Sequence, residues 1–386
     1  MRTRVAVLAL SAFAAFAAAP TGAGATELVG PPVKVASGPL NKIQAVITPD
    51  NHGGFAAFSM LNDDDDVFND KLYAQFFGSD RKPIGETMRF GKKKIKKEKV
   101  VGAFLNGGAY LGTGAIIVPY ILNLSSSSQP TLLAQLFKDG QTSGKSKTLL
   151  PSVSNPYPPV ELRDGRALVS WDPVGGGYQE FRFATRDGEV AKKSRSFNSN
   201  YVFPIAIEGG FLTTFVSGLD TVTLKARIYN AAGDPVREFS LVSAASSGQL
   251  PKIRIVGLAG GEIALMVCER DQASGRCRIT GQRFSTKGLR VGDKVVLVED
   301  APEQLLNATY LTDGGLLASF TEDEGGISHL VHRTFDSKLK PKGKVEESRP
   351  TGSFPGGLTT LTDGRVAARY TVNGDGTDVY VQLIAP

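Results

Sequence analysis

A short turn recurs seven times along the chain. It reads NHGGFAAF from Asn51, LNGGAYLG from Leu105, RDGRALVSW from Arg163, IEGGFLTTF from Ile207, LAGGEIALM from Leu258, TDGGLLASF from Thr312 and TDGRVAARY from Thr362. Its first glycine falls at 53, 107, 165, 209, 260, 314 and 364. An internal period of this size marks a repeat architecture. A D-G or N-G pair tolerates the positive φ that two-residue hairpin turns demand. The flanking runs are short and rich in β-branched and aromatic residues, as strands are. No stretch sustains a 3.6-residue apolar period, so helices are not expected.

A second landmark follows each turn: AQFF ending at Phe77, AQLF at Phe137, FRF at Phe183, ARIY at Tyr229, GQRF at Phe284, HRTF at Phe335 and VQLI at Ile384. After six of the seven come a polar turn and another short alternating run. Each unit therefore reads as four strands, too few residues to bury both sheet faces alone. Sheets packed side by side around an axis cover each other, which is the propeller arrangement. The expected fold is all-β: a seven-bladed β-propeller of four-stranded antiparallel blades. The last copy stops after its third strand, and PPVKVAS (Pro31 to Ser37) fits the missing outer one. The ring is expected to close by pairing this N-terminal strand with the C-terminal blade, which removes an exposed sheet edge.

The pattern D-G-G, hydrophobic run, aromatic, then A-Q-x-F-D, resembles the β-propeller repeats of exported bacterial proteins, including segments of large RTX-type surface proteins. It is carried by Asp313-Gly314-Gly315 with Phe320, Asp164-Gly165 with Trp171, and Asp363-Gly364 with Tyr370. Ala74 to Phe77, Ala134 to Phe137 and Thr334 to Ser337 carry its second half. The resemblance covers nearly all of residues 26–386 and implies architecture; it assigns no activity.

Residues 1–25 read as a signal peptide. Arg2 and Arg4 precede an apolar run from Val5 to Ala19, and Ala23-Gly24-Ala25 offers small residues before a cut at Thr26. The run is short for a membrane span, and no later segment is long and apolar enough to be one. A single propeller domain over 26–386, a monomer in the periplasm or secreted, is expected. Without the leader, 42 basic residues face 38 acidic ones, a net charge of +4. That is no nucleic-acid footprint. Cys268 and Cys277 bracket a turn-like loop, and oxidation is permitted after export, so a cross-strand disulfide is expected.

Chemical signatures are sparse. The loops between second and third strands vary in length and share a face with the crossings between blades. That face is the expected binding surface, for a protein or glycan ligand. Asp63, Asp64, Asp65, Asp66 and Asp70 crowd the first of these loops, and hard oxygens suit Ca²⁺. The run lacks the ordered spacing of a calcium loop and reads more readily as a solvated surface loop, with Ca²⁺ binding as the lesser alternative and no other cofactor assigned. The lysines between Lys92 and Lys99 read as edge protection of an outer strand. His52, His329 and His332 are the only histidines, and no nucleophile elbow, zinc motif or phosphate loop occurs. The sequence thus favours a non-catalytic binding propeller. The alternative is a hydrolase or lyase acting on a glycan or lactone, with its groups at the mouth of the central channel.

Overall fold

The computed structural model describes residues 27–386 apart from 39–42, 63–69, 92–93, 96–97, 126–128, 200–202, 219–220, 246–251, 272–273, 275, 303–306, 325–326, 349–352 and 374–375. It is a seven-bladed β-propeller with antiparallel blades. The inner strands are, in blade order, Ile43–Pro49, Glu98–Leu105, Val160–Glu161, Phe203–Ile207, Lys252–Gly257, Asn307–Tyr310 and Ser353–Thr360. Each runs from the face of the blade crossings toward the face of the short turns. Blade two departs from the rest: two-residue strands at Lys94–Ile95 and Ala109–Tyr110 extend its sheet.

The ring closes as expected. Strand Glu27–Gly38 pairs with the last strand, Thr377–Ala385, with Val33 opposite Val381 and Lys34 opposite Tyr380. Lys34 Nζ lies 2.7 Å from Asp378 Oδ2. A recurring device shows that this strand is the missing outer one. In AQFF, AQLF, GQRF and VQLI the glutamine side chain donates to the next residue's carbonyl and to a glycine carbonyl on the fourth strand. The glycine acceptors are Gly85 (3.3 Å), Gly144 (3.2 Å), Gly292 (3.3 Å) and, for Gln382, Gly30 of the N-terminal strand (2.9 Å). All four glycines have positive φ and sit at register shifts in their strands. The glutamine thus pins a bulge in the outer strand. Arg81 of blade one then clasps the closing strand, donating to the carbonyls of Val29 (3.1 Å) and Pro31 (2.9 Å).

The recurrent turn differs from the two-residue form in most blades. In blade seven, Gly364 N donates to Leu361 O at 3.0 Å and Leu361 N to Arg365 O at 2.7 Å. That is a three-residue loop whose last position, Gly364 at φ 89°, is left-handed. Blade four keeps the two-residue form at Glu208-Gly209, where Ile207 pairs with Gly210. The second glycine of the doublet has its own cause. A Cβ at Gly315 would lie 2.2 Å from Phe335 O, so the third strand approaches too closely for any side chain. In blade two the turn predicted at Gly107 lies elsewhere, at Leu111 to Ala115, with Gly114 in the left-handed position. Asn106-Gly107-Gly108 instead interrupts the inner strand.

The core lies between blades, because each sheet face is apolar and needs its neighbour. Phe58 of blade one packs 5.2 Å from Phe137 of blade two, and the Phe181 and Phe211 rings of blades three and four stand 5.6 Å apart. Such aromatic pairs, each fully buried here, contribute ~0.5–1.5 kcal/mol beyond their area burial.

Candidate functional site

The inner strands of six blades and the Asn106–Gly108 segment of blade two surround a cavity of about 840 Å³. Three local irregularities shape it. Blade two is broken at Asn106–Gly108. Blade three has a two-residue inner strand preceded by Tyr157-Pro158-Pro159. Blade seven has a bulge between Pro355 and Gly357. The bulge admits Arg369, which is rooted on the second strand, Val366–Asn373. A Cβ at Gly356 would meet Arg369 Nε at 2.4 Å, and the guanidinium donates to Gly356 O.

Strand direction sorts the lining into three levels. At the crossing face stand Tyr157, Phe203 and Val216. In mid-channel are Arg254 and Arg369. At the short-turn end lie Glu161, Arg163 and Tyr310. Arg163 crosses this end: its Nη2 donates to Gly257 O at 3.0 Å and Leu258 O at 3.1 Å, and its guanidinium lies 5.2 Å from the Tyr310 ring centre. One side chain of blade three thereby ties blades five and six together.

The electrostatics are lopsided. Among the described lining residues three arginines face a single carboxyl, Glu161. No ion pair joins Arg163, Arg254 or Arg369 to a carboxylate among the described residues. Arg254 is open to the lumen yet recessed from bulk solvent, and desolvation lowers its pKa, as it does for Arg369. Burial pushes the Glu161 carboxyl up from 4.5 to about 7. Burial also raises the Tyr310 phenol, the nearby Glu161 charge raises it further, and Arg163 pulls it down. A carboxyl that titrates near neutrality beside a phenol in a recessed cationic channel is suited to moving protons on an anionic ligand.

The groups singled out in the sequence lie elsewhere. Asp63, Asp64, Asp65 and Asp66 fall outside the described residues. Asp70 opens a strand of blade one, its side chain outside the description. Among the described residues no group of three or more His, Cys, Asp or Glu could hold a metal ion. Lys94 and Ile95 pair with Lys99 and Glu98 in a small hairpin. Cys268 and Cys277 form the expected disulfide across adjacent strands, Cα atoms 5.3 Å apart. His332 is fully buried in blade six, where desolvation drives its pKa down to about 3 and keeps it neutral. His52 sits in the blade-one turn. The channel residues went unnoticed because each looks like an ordinary strand residue. A usable signal was a charged side chain inside an otherwise apolar inner strand, as in VELRDG and KIRIVG.

No family model and no curated protein matches the sequence. Solved structures share the fold. The polysaccharide lyase Uly1 superposes with a TM-score of 0.55 at 9% identity, covering 88% of this chain and 89% of that one. A PL25 polysaccharide lyase, an ulvan lyase bound to -[GlcA(1-4)Rha3S]-, superposes with a TM-score of 0.53 at 9% identity, covering 92% and 96%. At this identity the likeness extends to the propeller and not to individual residues.

Proposed function

We propose that this protein is a glycan-acting enzyme that cleaves an acidic polysaccharide by elimination in its central channel. The observation that carries this is the channel's composition: Arg254 and Arg369 at mid-depth without carboxylate partners among the described residues, above Glu161, Tyr310 and Arg163. Guanidiniums without a carboxylate partner among the described residues match a carboxylate or sulfate ester. The fold it shares with polysaccharide lyases supports the enzymatic reading over a purely binding one.

Elimination fits better than hydrolysis. Glycoside hydrolysis ordinarily needs two carboxyl groups flanking the scissile bond, and Glu161 is the only one among the described lining residues. Elimination at a uronate needs a base for the C5 proton, an acid for the leaving oxygen, and cations to hold the carboxylate as charge spreads into it. Glu161 takes the proton from C5, the C4–O4 bond breaks as the C4–C5 double bond forms, and Tyr310 returns a proton to O4. Arg254 and Arg369 hold the acid group.

The disulfide suits an oxidising compartment, in keeping with export to the periplasm or medium, where such polymers occur. The test is incubation with a panel of uronate-containing and sulfated polysaccharides. New reducing ends that appear together with ultraviolet absorbance of an unsaturated uronate are expected. Reducing ends without that absorbance would indicate hydrolysis; tight binding without cleavage would return the protein to the class of binding modules.

A further inference from the structure

The channel has unlike ends. Arg163 crosses the short-turn end, held by two carbonyls of blade five and stacked over Tyr310. At the other end stands an apolar rim. Phe203 and Val216 of blade four are 58% and 56% exposed, and on the adjoining loop of blade three Val174 and Tyr178 are 40% and 56% exposed. Half of the large exposed hydrophobic side chains among the described residues thus lie on one arc of one face. The arc is continuous with the cavity, which Tyr157, Phe203 and Val216 themselves line. It is also braced. Tyr157 meets Phe203 edge to face at 6.2 Å, and its hydroxyl donates to Asp172 Oδ2 at 2.9 Å. A fixed aromatic edge that stays exposed is a hallmark of a stacking surface for amphipathic rings.

Resting on the glycan reading above, we propose that the polysaccharide enters the channel end first and that its outer sugars leave across blades three and four, stacked on Phe203 and Tyr178. Arg163 stops the chain from threading through. The polymer's only way out is the crossing face, and the apolar rim occupies one side of that mouth. The enzyme would then act from chain ends, with affinity that grows with chain length until the rim is covered.

The experiment measures binding by calorimetry and cleavage kinetics for size-fractionated ulvan oligosaccharides, from disaccharide to decasaccharide, on the wild type, Phe203→Ala and Leu289→Ala. Leu289 is equally bare, but lies on an outer turn of blade five. In the wild type, affinity should rise with length. In Phe203→Ala the ratio of decasaccharide to disaccharide affinity should fall about tenfold, the loss of one stacking anchor; in Leu289→Ala it should not change. With end-labelled chains, product should appear from one end only. An unchanged ratio in Phe203→Ala, or early cleavage in the middle of labelled chains, would overturn the inference while leaving the glycan reading intact. Binding that obeys the length rule without cleavage would support the inference and remove the enzymatic reading. No binding of any fraction would overturn both.

Discussion

The Arg163 guanidinium lies 5.2 Å from the centre of the Tyr310 ring, joining the turn of blade three to the inner strand of blade six across the channel floor. The contact does two things at once. It spans the short-turn end, and it sets a positive charge against a phenol that burial and Glu161 otherwise drive upward. Arg163→Ala should lower kcat/KM about tenfold to a hundredfold. It should also move the alkaline limb of the pH–rate profile to higher pH, because Tyr310 loses the cation that favours its ionised form. Arg163→Lys should restore part of the limb's position. A rate loss with an unmoved profile would mean that Arg163 acts only as a brace.

Glu161 ties stability to pH. Its carboxyl titrates near 7 in the folded chain against 4.5 in the open one, so the fold prefers it protonated. Below 4.5 it is protonated in both states and contributes no loss. Between 4.5 and 7 the open chain ionises while the folded one stays protonated, so stability falls across that window and levels off above 7. At about 1.4 kcal/mol for each pH unit, the loss comes to about 3 kcal/mol. Glu161→Gln should escape it, so the variant's melting temperature should exceed the wild type's in alkali and match it in acid. Cleavage by the variant should fall by about two to four orders of magnitude. Parallel melting curves across pH would contradict the assignment.

Arg254 and Arg369 should act on binding. Replacing either by Ala should raise KM for an acidic polymer about tenfold or more, with a smaller change in kcat. The salt dependence of KM should flatten in each variant, since one fewer charge is available to screen. A neutral oligosaccharide should bind wild type and variants alike. Equal losses for neutral and acidic ligands would mean that the arginines hold the channel's shape.

The closing strand can be tested through Gln382. Its amide donates at 2.9 Å both to Gly30 O on the N-terminal strand and to Leu383 O, and it is 1% exposed. Gln382→Leu strips that partner from the buried Leu383 carbonyl and from the Gly30 carbonyl at the bulge, and should cost about 1–3 kcal/mol, read as a lower denaturant midpoint. The same change at Gln135, inside blade two, should cost a similar amount, because the device is the same. A neutral Gln382 variant would show that the N-terminal strand contributes little to the ring.

Much of the architecture was readable because its turns and bulges need particular residues. Gly314 and Gly364 mark left-handed turn positions, so the blades could be counted, and Pro31 to Ser37 supplied the outer strand that the last repeat lacks, so the closure was foreseen; the bulge that Gln75, Gln135, Gln282 and Gln382 each pin emerged only in the structure. Blade two was misplaced by seven residues, because Asn106-Gly107-Gly108 imitates the turn motif while Leu111 to Ala115 makes the turn. The site was not readable in the same way. Glu161, Arg254, Tyr310 and Arg369 come from four blades, and nothing in their sequence spacing announces that a ring brings them to one axis. The acidic run from Asp63 and the lysines from Lys92 drew notice through local density, which sequence displays and function need not use.

The most direct test of the account is a crystal structure of Glu161→Gln soaked with a sulfated uronate oligosaccharide. The account predicts sugar in the central channel, its acid group between Arg254 and Arg369, its terminal ring over Arg163 and Tyr310, and its outer end against Phe203. Oligosaccharide bound only on the outer strands or the short-turn face, with the channel holding water alone, would contradict it.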